Sequence, residues 1–170
     1  MKRVLVCLAL VVSTLALFVP CAGAVGGAVC RVTGRIVFSP NTENDGGWSI
    51  EEGIIDCSGL LAGGKSRILG PGQFKASGSY SALAPAGGAC LRQAGTGMVD
   101  YRIPTSGGFV IITEPASFAL AGAGVLRTPS LNGTFEVAPP YNGDCATKPV
   151  TSATFVAEAV LYRGVEPTKT

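Results

Sequence analysis

The stretch Cys30-Arg-Val-Thr-Gly-Arg-Ile-Val-Phe38 decides the fold class. In an extended chain Cys30, Val32, Gly34, Ile36 and Phe38 share one face, and Arg31, Thr33, Arg35 and Val37 share the other. A period of two with a mostly polar outer face is a half-buried antiparallel strand. Ser39-Pro40-Asn41 ends the run, and Asn44-Asp45-Gly46-Gly47 carries turn chemistry. Trp48 to Cys57 reads as a second strand, in which Glu51-Glu52-Gly53 marks a bulge or an edge position.

Working outward, the same pattern predicts strands at Gln73–Leu83, Ala89–Arg92, Thr96–Ile103, Phe109–Glu114, Ser117–Leu120, Val125–Leu131, Thr134–Val137 and Thr151–Tyr162. Asn132-Gly133 between two of them is the strongest short hairpin signal available, because a type I′ turn needs positive φ at both central residues. Proline and glycine punctuate the chain throughout, and the 24 glycines fit tight turns and bulges. Short strands at such spacing predict an all-β fold of about seven to nine strands. The expected architecture is an antiparallel β-sandwich, with an Ig-like arrangement or a small barrel as the alternative.

Composition places that domain outside the cell. Lys2 and Arg3 precede an apolar run from Val4 to Val19, Pro20 breaks it, and Ala22-Gly23-Ala24 has the small-x-small pattern of a signal-peptidase site. The run is shorter than the ~20 residues that span a bilayer, and no later segment is apolar enough to do so. Residues 1–24 therefore read as a signal peptide cleaved after Ala24, 25–163 as a single β domain, and 164–170 as a frayed tail. The mature chain of 146 residues has 11 basic and 11 acidic side chains. Such neutrality, with basic residues dispersed singly, offers no footprint for nucleic acid or for an anionic membrane. Four cysteines remain, Cys30, Cys57, Cys90 and Cys145, none closer than 27 residues to the next. An even number in an exported chain reads as two disulfides rather than a metal site. Pairing of neighbours along the chain gives Cys30–Cys57 and Cys90–Cys145.

Three short motifs carry a resemblance. The opening Cys30-Arg-Val-Thr-Gly-Arg-Ile-Val-Phe-Ser-Pro40, then Asp56-Cys-Ser-Gly59, then Asp144-Cys145 with Val150-Thr-Ser-Ala-Thr-Phe155 resemble a group of uncharacterised exported actinobacterial proteins. Those proteins are Gly/Thr-rich β-sandwiches with paired cysteines. The resemblance covers most of the mature chain and implies fold and location, with no functional residue to transfer.

The absence of histidine excludes Ser-His-Asp and Cys-His catalysis, His-ligated zinc and CxxCH haem attachment. Gly59-Leu-Leu-Ala-Gly-Gly64-Lys65-Ser66 matches GxxxxGK[ST] formally. A phosphate-binding loop needs a long helix after it, and Gly70-Pro71-Gly72 stops one, so a glycine loop is expected. Asp56, Asp100, Glu114, Glu136 and Glu158 fall in strand-like segments, and a glycosidase would need two of them converging in a cleft. Trp48 and Tyr141 flank loops and are the candidate ligand-binding aromatics. Asn132-Gly-Thr134 is formally a glycosylation sequon, although its turn chemistry and the bacterial leader argue otherwise. No catalytic residue, cofactor or metal site is expected. The reading is a secreted non-enzymatic binding or structural module of the extracellular space or envelope. Its partner would be a protein, an envelope component or a small apolar ligand. The alternatives are a small apolar-ligand carrier and, less favoured, a carboxylate-based hydrolase.

Overall fold

The computed structural model describes residues 27–61, 65–83, 91–121, 123–143 and 148–162. The segments expected to be a signal peptide (1–24) and a frayed tail (164–170), together with Cys90 and Cys145 of the expected second disulfide, lie outside them. The strands are β1 (Ala28–Ser39), β2 (Gly46–Ser58), β3 (Leu60–Leu61), β4 (Ser66–Arg67), β5 (Gly72–Ala82), β6 (Arg92–Thr105), β7 (Gly108–Ala121), β8 (Ala123–Arg127), β9 (Leu131–Ala138) and β10 (Ser152–Leu161). Apart from the small β3–β4 ladder, each strand pairs antiparallel with the next long one, and β10 returns to pair with β1. The all-β expectation holds, but the sheet closes into one eight-stranded up-and-down barrel rather than splitting into a sandwich.

The registers show how it closes. Cross-strand partners run from Ser39 through Gly47, Ser79, Thr96, Ser117, Arg127, Asn132 and Val160 back to β1 at Val29. The path returns ten residues from its start, and such a stagger tilts the strands of a closed barrel. Inward and outward residues alternate on every long strand. Val32, Ile36, Phe38, Ile50, Ile55, Phe74, Val99, Ile103 and Val110 point in and are buried. The outer face is mixed: charged and polar residues such as Arg31, Asp56, Lys75, Asp100 and Glu158 alternate with exposed apolar ones such as Val29, Ile54, Ile111 and Val125. Among the described residues there is no helix long and apolar enough to cross a membrane.

One fault in the alternation is built in. Glu51 and Glu52 are both exposed, and the register of β2 slips against β1 and against β5 at this point. This is the expected bulge; it adds one residue to β2 and restores the inward direction at Gly53 and Ile55. Cys30 lies opposite Cys57 on the two strands, with Cα atoms 4.0 Å apart, and the pair forms the expected disulfide.

Several segments merge or move. Thr96–Ile103 is part of the longer β6, and Phe109–Glu114 and Ser117–Leu120 are one strand that runs through Pro115. Asn132-Gly133 is not a turn: both residues sit inside β9, paired with Val160 and Ala159. Gly133 is needed there because a Cβ would come within 2.1 Å of the Glu158 carbonyl oxygen. The real turn is Pro129-Ser130, closed by Thr128 N–H donating to Leu131 O at 3.0 Å.

The interior is spanned by a chain of rings. Trp48 meets Phe118 edge-on at 5.4 Å, Phe118 meets Phe135 at 6.0 Å, Phe135 tilts on Phe155 at 5.3 Å, and Phe155 stacks on Phe74 at 6.5 Å. Gly124 makes room for this chain, since a Cβ on it would come within 2.3 Å of the Phe135 ring.

Two outcomes are expected from this packing. Gly124→Ala should lower stability by about 1–3 kcal/mol through overpacking, and Phe135→Leu in the same chain should recover most of it, as read by urea unfolding. Removing the Cys30–Cys57 bridge by paired serine substitution should cost about 3–4 kcal/mol on a 27-residue loop, seen as a lower urea midpoint.

Candidate functional site

Chemistry-bearing side chains gather at two levels of the barrel interior. At the end where β1 runs into β2, the chamber is lined by Phe38, Trp48, Gln93, Phe118, Leu120 and Phe135 among others. The residual void is about 20 Å³, room for one water molecule. Gln93 is wholly buried and its Nε2 donates to Thr42 O at 3.2 Å. The chamber also holds polar atoms without partners: the Trp48 indole N–H and the Gln93 carbonyl oxygen, with the buried Thr42 hydroxyl close by. Each such group carries a desolvation cost of about 1–3 kcal/mol. An apolar room with an open donor and an open acceptor is a recognisable binding geometry.

Trp48 thus differs from its expected position. It lies in β2, facing inward and buried, because Gly46 and Gly47 already belong to the strand rather than to a loop. Tyr141 is half-exposed after Pro139-Pro140 and donates to Val137 O at 3.1 Å. The structure does not bring the two aromatics together.

The second level lies toward the opposite end, around Glu114. Of the five strand acids, Glu114 is buried, and Asp56, Asp100, Glu136 and Glu158 are exposed on outer faces. The Glu114 carboxylate accepts from the Thr128 hydroxyl, from Ser130 N–H at 3.2 Å and from Ser130 Oγ at 2.8 Å. The Tyr101 hydroxyl is 3.3 Å from Glu114 and 2.5 Å from Ser130 Oγ. Burial, reinforced by the neighbouring Glu114 charge, holds the Tyr101 phenol well above its ordinary value near 10, although its hydrogen bond to Ser130 pulls the other way. Sequence pattern placed Glu114 on a strand without showing its face. The sign of its role was Thr128-Pro129-Ser130, whose hydroxyls and turn serve it.

Outside, Arg31 lies between Asp56 on β2 and Glu158 on β10, directly across from each. Glu136 and Glu158 share a shallow groove with Arg31 and Thr134. Both are exposed to solvent. Asp100 accepts from the Thr113 hydroxyl. Of the Gly59–Ser66 motif, Gly59 to Leu61, Lys65 and Ser66 are described; Leu61 pairs with Ser66 in a short ladder and no helix follows. Among the described residues no group of three His, Cys, Asp or Glu is placed to hold a metal ion. Comparison with known protein families, with curated proteins and with solved structures returns no match.

The Glu114 cluster has measurable consequences. Glu114→Gln should cost about 1–3 kcal/mol, because the charge-assisted bonds to Thr128 and Ser130 are lost or mismatched. Because the folded Tyr101 value is raised, its contribution is complete below the unfolded value near 10 and is lost as pH climbs above it. Tyr101→Phe should therefore flatten the fall in melting temperature above about pH 9, with Tyr80, also raised by burial, supplying what remains.

Proposed function

We propose that this chain is an exported, non-enzymatic binding or structural module of the extracellular space or cell envelope. One observation carries the reading: the buried Glu114 carboxylate is occupied by Thr128 and Ser130. Its lone pairs hold a turn, and the side chain is buried. Of the other four strand acids, Asp56 and Asp100 lie on the outer wall, and Glu136 and Glu158 share an outer groove. Among the described residues, the strand acids offer a paired-carboxylate hydrolase no second buried acid beside Glu114. The neutral mature chain, the leader and the Cys30–Cys57 bridge support an oxidising, extracytoplasmic setting.

A second reading, a carrier of a small apolar ligand, is favoured by the open Trp48 N–H and Gln93 carbonyl. The ligand would be compact and apolar, with one acceptor for the indole and one donor for the amide. It would have to spread the chamber, since the present void is far below the ~300 Å³ of ordinary ligand pockets.

Native mass spectrometry of the protein taken directly from culture medium separates the two. The module reading expects the mass of the mature chain, or a whole multiple of it, with no small molecule released on denaturation. An adduct present in the wild type and missing from Gln93→Leu would overturn it in favour of the carrier.

A further inference from the structure

The barrel is closed at one end and left open along part of one strand at the other. The β6–β7 hairpin turns at Ser106-Gly107, with Thr105 opposite Gly108. In a two-residue hairpin that closing pair exchanges both hydrogen bonds, so the even-numbered residues of β7 bond to β6. The odd-numbered residues aim their N–H and C=O groups the other way. Ser117, Ala119 and Ala121 find β8 there. The next pair in that register would be Pro115 opposite Pro129, and neither has an N–H to give. β8 accordingly ends at Arg127. Below it, among the described residues, the odd-side backbone groups of Phe109, Ile111 and Thr113 face no strand. Ile111 is 49% exposed beside them.

We propose that this open edge, Phe109 to Thr113, is a strand-addition site for a second copy of the chain, giving a two-fold dimer with β7 antiparallel to β7 of its partner and Ile111 at the axis. The edge is self-complementary. Ile111 would face its own copy, and Phe109 would face Thr113 in both directions, so every open N–H and C=O is satisfied. Pro115 would then face only Gly107, which needs nothing from it and has no side chain to clash.

Charge fixes the choice of partner. The Arg102 guanidinium lies over the Phe109 ring, 3.9 Å from its centroid, leaning toward the edge. Asp100 leans toward the edge too, held by the Thr113 hydroxyl. With Phe109 of one copy against Thr113 of the other, Arg102 of one copy comes beside Asp100 of the other, twice by symmetry. The other charge near the pair is Lys75, across from Asp100 on β5; it stays within its own copy.

Sedimentation velocity on the exported, disulfide-intact chain tests this over a wide concentration range. The wild type should dimerise reversibly. Ile111→Pro removes the N–H at the axis without touching the β6 ladder and should leave a monomer, with circular dichroism confirming the barrel. Asp100→Arg and Arg102→Asp, each alone, set like charges across the axis and should weaken the dimer roughly tenfold or more. Mixing those two variants pairs opposite charges again and should restore the dimer at wild-type strength. A wild type that stays monomeric throughout, a dimer indifferent to Ile111→Pro, or a mixture no tighter than its components would each overturn the proposal.

Discussion

β1 carries a ladder on each of its edges, to β2 and to β10, and the rest of the molecule depends on that double pairing. Once β10 returns to β1, strand number and stagger together fix the tilt and the radius of the cylinder. The inward side chains must then fill a defined volume. Five rings, from Trp48 through Phe118, Phe135 and Phe155 to Phe74, cross the interior. They fit because Gly124 yields its Cβ to Phe135. The Cys30–Cys57 bridge ties one of the two ladders covalently, between positions already in register. The bulge at Glu51-Glu52 lets β2 keep its apolar face inward while following the curve.

The two ends of the cylinder solve the same problem differently. At the end where β1 runs into β2, the loops fold over the chamber: Thr42 N–H donates to Val150 O, and Tyr80 reaches Asn41 O at 2.5 Å. At the other end two prolines stop β8 short, and a side chain takes over where the ladder fails. Glu114 reaches from β7 to the Pro129-Ser130 turn and secures it with an ionised acceptor that several donors share. A buried carboxylate of this kind would be costly in isolation. Here hydroxyls and a backbone N–H surround it, and Tyr101 shields it from the interior.

Much of this was legible in the residues because a period of two is local. β1, the β2 bulge, β5, β10 and the Cys30–Cys57 pairing all follow from alternation or chain proximity. What escaped is non-local. A sandwich and a barrel share the same alternation, and only the β1–β10 pairing, between residues more than a hundred positions apart, distinguishes them. Asn132-Gly133 looked like a turn because its conformational freedom fits one. In the fold, that same lack of a side chain at Gly133 serves the close approach of β10. The turn fell three residues earlier, where proline and serine lack the positive-φ signature. Trp48 read as the first residue of its strand, flanking a loop, because two glycines precede it; the strand simply starts before them. Glu114 was placed among five equivalent acids, since pattern alone does not say which face of an isolated strand will be covered.

A closed barrel normally abolishes the strand edges that make sheets stick to one another. This one retains three residues of edge, and it does so for a reason internal to its own construction. Pro115 and Pro129 would have to face each other for β8 to continue, so the hairpin that Glu114 secures cannot lengthen to cover the strand beside it. The exposed Ile111, and the Asp100 and Arg102 side chains leaning toward the gap, then lie where a second copy would present the complementary charges. The binding chemistry of the chamber, Trp48 and Gln93, sits at the far end of the cylinder from this edge. Association through β7 would therefore leave the loops over the chamber clear in both copies, and the two features impose no geometric conflict on each other.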